Sequence, residues 1–126
     1  MKSIFEMIIN KDSPGEIIYE DADIIGLIDI NPISKGHVLI IPKSKKENFF
    51  LEDDIVLLKI FNVSRKIKQA YEEVLDARGF KFNTNMNKEA DQIVFHTHFH
   101  LIPFYEIKNN DPLSLDELQR IKYLLN

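Results

Sequence analysis

The spacing of apolar positions changes several times along this chain, and each change marks a new element. The opening "SIFE" pairs Ser3 with Glu6 in the capping-box spacing, which predicts a short helix over residues 4 to 9. After a turn at "SPGE" (13–16), "IIYE" (17–20) and "DIIGLID" (23–29) read as strands, the second almost wholly apolar. The turn-rich "NPISKG" (31–36) leads into another strand, "HVLIIP" (37–42). From Asp53 to Ala77 the period lengthens. Val56, Ile60, Val63, Ile67, Ala70 and Val74 recur at steps of four and three, one face of a long helix that Gly79 is placed to end with a left-handed cap. Leu57, Phe61, Tyr71 and Leu75 lie off that stripe, so the helix needs either a wide core contact or a contact with another subunit.

"FKFNTN" (80–85) alternates like a strand, "NKEAD" is a loop, and "QIVFHTHFHLIPFYE" (92–106) reads as one long strand. Ser114 and Glu117 repeat the capping-box signal before a final helix. The expected fold is α+β, a five-stranded antiparallel sheet with one long helix and short terminal helices, in a single domain over residues 1–126.

Composition removes several function classes. A net charge of −4, with only three arginines, argues against a polyanion surface for DNA or RNA. A small anion remains compatible, because backbone N–H groups and histidines can hold a phosphate without overall basic charge. The absence of cysteine excludes disulfides and thiolate metal sites. No stretch resembles a signal peptide or approaches a span of about 20 apolar residues, so a cytoplasmic protein without membrane partners is expected.

The chemistry concentrates in "VFHTHFHLIPF" (94–104), which holds His96, His98 and His100, three of the chain's four histidines. On a strand, residues two apart share a face at ~6.6–6.8 Å per step. The histidines would then form a row on one face, with Phe95, Thr97, Phe99 and Leu101 on the other, where the apolar ones can be core. Two chemistries suit such a row. Neutral imidazoles can bind zinc, although the nearest acids, Asp91 and Glu106, lie beyond its ends. Alternatively, an uncharged imidazole can attack phosphorus and form a covalent intermediate that water clears.

Beyond these residues the chain resembles the histidine triad (HIT) family. "HTHFHLI" (96–102) is similar to its His-φ-His-φ-His-φ-φ signature, with φ apolar and Thr97 as the one polar φ. "SIFEMIINKDSPGEIIYEDADIIGLIDINPISKGHVLIIPK" (3–43) resembles the amino-terminal half of the family, and "NMNKEADQIVFH" resembles the segment leading to its triad. The resemblance implies a homodimeric purine-nucleotide hydrolase or transferase acting at the α-phosphate without a cofactor or metal. His98 would be the nucleophile, His96 and His100 would hold and polarise the phosphate, and His37 would buttress the triad. Asp29 would bind the ribose hydroxyls, Asn85 would sit on the phosphate side, Gln92, matching the Gln at the start of the triad strand, would also bind substrate, and Phe5, Ile8, Leu27 and Ile30 would line the base slot. The Hint-like branch, which cleaves nucleoside 5′-phosphoramidates, matches the short chain best. A Fhit-like dinucleoside polyphosphate hydrolase and a weakly catalytic nucleotide-binding module are the alternatives.

The chain departs from the family in several places. Asp91 replaces a glycine, Ile93 stands where relatives place Ser or Thr, and Asn87 follows Asn85 where glycine is usual. Phe104 stands in place of an arginine, Lys45 in place of a further histidine, and "SIFEMI" lacks the cysteines with which some members bind structural zinc.

Overall fold

The computed structural model describes residues 2–126. Its elements, in chain order, are α1 (Ile4–Ile9), β1 (Ile17–Glu20), β2 (Ile24–Ile28), β3 (Val38–Pro42), α2 (Asp54–Leu75), β4 (Gly79–Asn83), β5 (Phe99–Phe104) and α3 (Leu115–Leu125). The strands form one five-stranded sheet in the order β1-β2-β3-β5-β4 with every neighbouring pair antiparallel. This is the α+β architecture the sequence predicts. Among the described residues no helix is long and apolar enough to cross a membrane.

The unbroken apolar runs of β2 and β3 arise because both faces of the sheet are covered. Ile24, Val38 and Ile40 face a core made with α2 and α3, where Ile60, Val63, Ile67, Ala70, Tyr71, Ile121 and Leu125 are buried. Ile25, Leu27, Leu39 and Ile41 face the other way and pack under Phe5 and Ile8 of α1. The predicted helical stripe is the one that meets the sheet, with Val56 and Val74 only half-buried at its ends. Of the off-stripe residues, Tyr71 is fully enclosed while Phe61 remains exposed.

Three expectations need correction. The helix cap is Asp76, at φ 60, which closes the last turn by donating its N–H to the Tyr71 carbonyl; Gly79 instead begins β4. A glycine is required elsewhere, at Gly36 (φ 88), where an added Cβ would also lie 3.1 Å from the Tyr71 ring. The long strand over 92–106 shrinks to Phe99–Phe104, because the preceding residues spend their hydrogen bonds on another loop. Thr97 donates both N–H and hydroxyl to the Lys46 carbonyl, and the Gln92 carboxamide donates to Glu47 O at 2.6 Å. In consequence Thr97 is buried and Phe95, expected in the core, is 50% exposed.

Candidate active site

Register places the histidines. His100 on β5 lies opposite Leu39 of β3 and Asn83 of β4, so it shares the α1 side of the sheet. His98 is delivered just ahead of the strand, its carbonyl accepting the Thr84 hydroxyl at 2.7 Å and its ring edge-on to Phe5 with centroids 4.9 Å apart. Both rings face a cleft of about 510 Å³ between α1, the ends of β2 and β3, and the segment after β4.

Each ring's partners fix where its proton resides. The Ile33 backbone N–H can only donate, so His37 Nδ1 accepts it at 3.1 Å and the His37 proton sits on Nε2. That Nε2–H is donated to His100 Nδ1 at 2.9 Å, which leaves neutral His100 with its proton on Nε2. His98 is the opposite tautomer. Its Nδ1 lies 2.8 Å from the His96 carbonyl oxygen, an acceptor only, so Nδ1 carries the proton and Nε2 keeps its lone pair. No described residue bonds to that Nε2. His96 donates from Nε2 to the Pro42 carbonyl at 2.8 Å, and its Nδ1 accepts the Ser3 hydroxyl at 3.3 Å.

The electrostatics agree with neutral rings. Burial pushes the pKa of His98 below its ordinary value, against the opposing pull of its hydrogen bond to the His96 carbonyl, and the neighbouring His100 ring pushes it down further. Burial lowers His100, assisted by His37, and burial lowers His37 against the pull of the Asp29 carboxylate. The unfolded chain therefore takes up protons first as pH falls below about 6.5. Stability contributed by these three rings is full above that pH and is lost as pH drops through their depressed folded values. We expect the urea midpoint to fall between pH 7 and pH 5, above the range where carboxylates titrate. Substituting Phe for His37 should flatten that decline; an unchanged slope would contradict the assignment.

Asp29 completes the group. Its Oδ1 accepts the Asn31 N–H at 2.9 Å and its Oδ2 is 3.5 Å from His37 Nε2, leaving lone pairs free for hydroxyl donors. The ligand atoms of Asp29, His37 and His100 lie within 4.8 Å of one another, close enough for one metal ion. The tautomers oppose it. A metal needs a lone pair on His37 Nε2, where Ile33 has forced the proton.

The remaining predicted residues divide into two groups. Phe5, Ile8, Leu27, Ile30, Asp29 and Asn85 line the cleft with His98 and His100. Phe5, Ile8 and Leu27 are buried in its wall, whereas Ile30 is 90% exposed at the mouth. His96 and Gln92 do not line it. His96 is enclosed with both ring nitrogens engaged, and Gln92 is buried with its amide donating to Glu47 and Val94 carbonyls and its oxygen accepting from Asn87 N. Both brace the segment that carries His98. Asn85 makes only a long bond, 3.4 Å, to the Asp91 carbonyl and is available to a ligand. Asn87 does adopt positive φ, at 71°. Phe104 lies beneath Lys81, and Lys45 pairs with Glu6 at 3.8 Å.

The sequence concealed a second task for Ser3. Its oxygen caps α1 by accepting Glu6 N–H, and its proton goes to His96, 93 residues away. One hydroxyl thus ties the helix bearing Phe5 and Ile8 to the chain that holds His98. Capping spacing gave the first role; only tertiary proximity gives the second. Ser3→Ala should lower turnover by up to about tenfold through loss of one net hydrogen bond, and Ser3→Thr should restore it. Ser3→Asp keeps the cap but cannot donate, so wild-type turnover in that variant would contradict a role for the Ser3–His96 bond.

Comparison with known proteins agrees with this geometry. A family profile described as the HIT domain matches residues 10–107. An uncharacterised HIT-like protein of Borreliella burgdorferi is 35% identical over 128 residues, covering 96% of this chain and 91% of that one. A HIT family hydrolase from Clostridium thermocellum superposes with a TM-score of 0.74 at 33% identity, covering 84% of this chain and 93% of that one. A hypothetical histidine triad nucleotide-binding protein from Sulfolobus tokodaii superposes with a TM-score of 0.82 at 27% identity, covering 97% and 88%. The profile match and the Borreliella relative extend over most of the sequence, and the chain belongs to the HIT family.

Proposed function

We propose that the protein is a nucleotide-binding hydrolase that cleaves nucleoside 5′-phosphoramidates, or related nucleotide conjugates, at the α-phosphate through a nucleotidyl-His98 intermediate. The observation that carries this is the tautomer of His98: a neutral imidazole whose Nδ1–H is held by the His96 carbonyl and whose Nε2 lone pair has no described protein partner. The cleft volume falls in the range of small-ligand sites, and the nucleotide-binding and hydrolase descriptions of the Sulfolobus and Clostridium relatives support the same class.

In the first step the His98 Nε2 lone pair forms a bond to the α-phosphorus. The P–N bond to the leaving amine breaks, and the amine nitrogen departs with that electron pair and a proton taken from solvent water. His100, protonated on Nε2, donates to a non-bridging oxygen where negative charge develops. Asn85 supplies a further amide donor, and Asp29 accepts from the ribose hydroxyls. In the second step water attacks phosphorus and gives up a proton to solvent, replacing the one the amine took, and the P–Nε2 bond breaks with its pair returning to His98. One water is consumed, and a nucleoside monophosphate and a free amine are released. His96, Gln92 and His37 act indirectly by holding the rings.

The protein is also proposed to act as a homodimer. β4 is a sheet edge bearing the exposed Phe82, whose ring centroid lies 6.4 Å from that of the exposed Phe61 of α2, and Ile55 and Leu58 of the same helix are also exposed, which suits pairing of two copies across a two-fold. Light scattering at micromolar concentration tests this.

The experiment for the chemistry is an early acid-free quench of protein mixed with an adenosine phosphoramidate, followed by peptide mass spectrometry. An adenylyl group on the peptide containing residues 94–104 supports the intermediate. Turnover with no such adduct at any time would remove it, and faster turnover of diadenosine triphosphate would move the protein to the polyphosphate-cleaving alternative.

A further inference from the structure

The cleft has two chemically different halves, and the strand order separates them. Over β2, β3 and α1 it is apolar, walled by Phe5, Ile8, Leu27 and Leu39, with Asp29 at the end of β2. At the start of β5 lie His100 and, just ahead of the strand, His98. Beyond β5, on the segment that follows the edge strand β4, come Asn85, Asp91 and Ile93. With a base in the apolar half and its ribose at Asp29, the α-phosphate reaches His98. Its last substituent, the leaving group, then extends over Asn85, Asp91 and Ile93.

Asp91 is the unusual member of this set. It is exposed, lines the cleft and forms no ion pair among the described residues. Its backbone is left-handed, at φ 66, where it ends the short helical turn Lys88–Ala90, and its carbonyl, not its carboxylate, accepts Asn85. Ile93 beside it is 86% exposed and presents only hydrocarbon to the cleft. An uncompensated carboxylate next to an exposed aliphatic side chain repels an anionic leaving group. It attracts one with an alkyl stem and a positively charged end.

We propose that Asp91 and Ile93 form a leaving-group subsite that selects nucleoside phosphoramidates of cationic alkylamines, that is, diamines and basic amino acids linked through one nitrogen. This rests on the phosphoramidate chemistry proposed above and specifies the amine. The same carboxylate disfavours polyphosphate leaving groups. Asp91 acts by attraction at the open end of the cleft, so the preference is screened by salt.

The test compares three adenosine phosphoramidates of matched length, made from 1,5-diaminopentane, hexylamine and 6-aminohexanoate. Their tails end in ammonium, methyl and carboxylate. In the wild-type protein kcat/KM is expected to fall in that order, with about fivefold or more between ammonium and methyl at low ionic strength, the solvent-screened limit for one charge pair. The gap narrows in 0.5 M salt. In Asp91→Asn and Asp91→Gly, both at ease in left-handed backbone, the three values converge. Equal wild-type values, or a preference that survives both substitutions, overturn the subsite while leaving His98 chemistry in place. Absence of an adenylyl-histidine with all three substrates overturns both proposals together.

Discussion

Replacing His98 with alanine is expected to lower turnover of an adenosine phosphoramidate by roughly 10⁴- to 10⁶-fold, the scale seen when a covalent nucleophile is removed. No adenylylated peptide should form. The loss is this large because no other group takes over. His96 has both nitrogens engaged, and His100 Nδ1 is occupied by His37 while its Nε2 carries a proton. Affinity for AMP should change by no more than a few fold, since Asp29 and the apolar wall are untouched. Loss of binding together with turnover would show that the variant had collapsed the cleft. Turnover within tenfold of wild type would show that His98 is not the nucleophile.

The second large effect concerns the fold. Ile67 is fully buried at the centre of the α2–sheet core, and a Cβ placed on Gly26 of β2 would lie 3.4 Å from its terminal methyl. Ile67→Ala removes three methyl(ene) groups at a point where helix and sheet are in contact, and should cost about 2–5 kcal/mol. Against a typical total of roughly 5–15 kcal/mol this lowers the melting temperature by on the order of 10 °C. Because Ile67 lies on the face of the sheet opposite the cleft, turnover per folded molecule at 25 °C should be retained. Calorimetry and active-site titration on one sample separate the two effects. An unchanged melting temperature would mean that α2 does not supply the main core contact.

Much of this architecture was legible because burial on one or two faces writes itself into residue spacing. The alternation and runs of β1, β2 and β3 gave those strands to within a residue, and the four-three steps gave α2. The histidine segment was misleading for a physical reason. His96, His98 and His100 have strand spacing, but in the segment ahead of β5 Gln92 bonds to the Glu47 carbonyl and Thr97 to the Lys46 carbonyl instead of to a neighbouring strand. Local pattern cannot report such a tertiary competition. The same limit hid the engagement of His96 and Gln92, which lie in the expected segment yet do not reach the cleft. It also hid Ser3, visible as a cap but not as a partner of His96. Gly79 looked like the helix terminator because glycine tolerates left-handed backbone; Asp76, three residues earlier, took that conformation instead.

Attack on phosphorus by His98 depends on where one ring proton sits. In protein labelled with ¹⁵N-histidine, long-range proton–nitrogen correlation at pH 7.5 reports which ring nitrogen is protonated at each of the four histidines. His98 is expected to be neutral with its proton on Nδ1, and His37 and His100 neutral with theirs on Nε2. A charged His98 at this pH, or one protonated on Nε2, would deprive the ring of the lone pair that attacks phosphorus and would contradict the proposed mechanism.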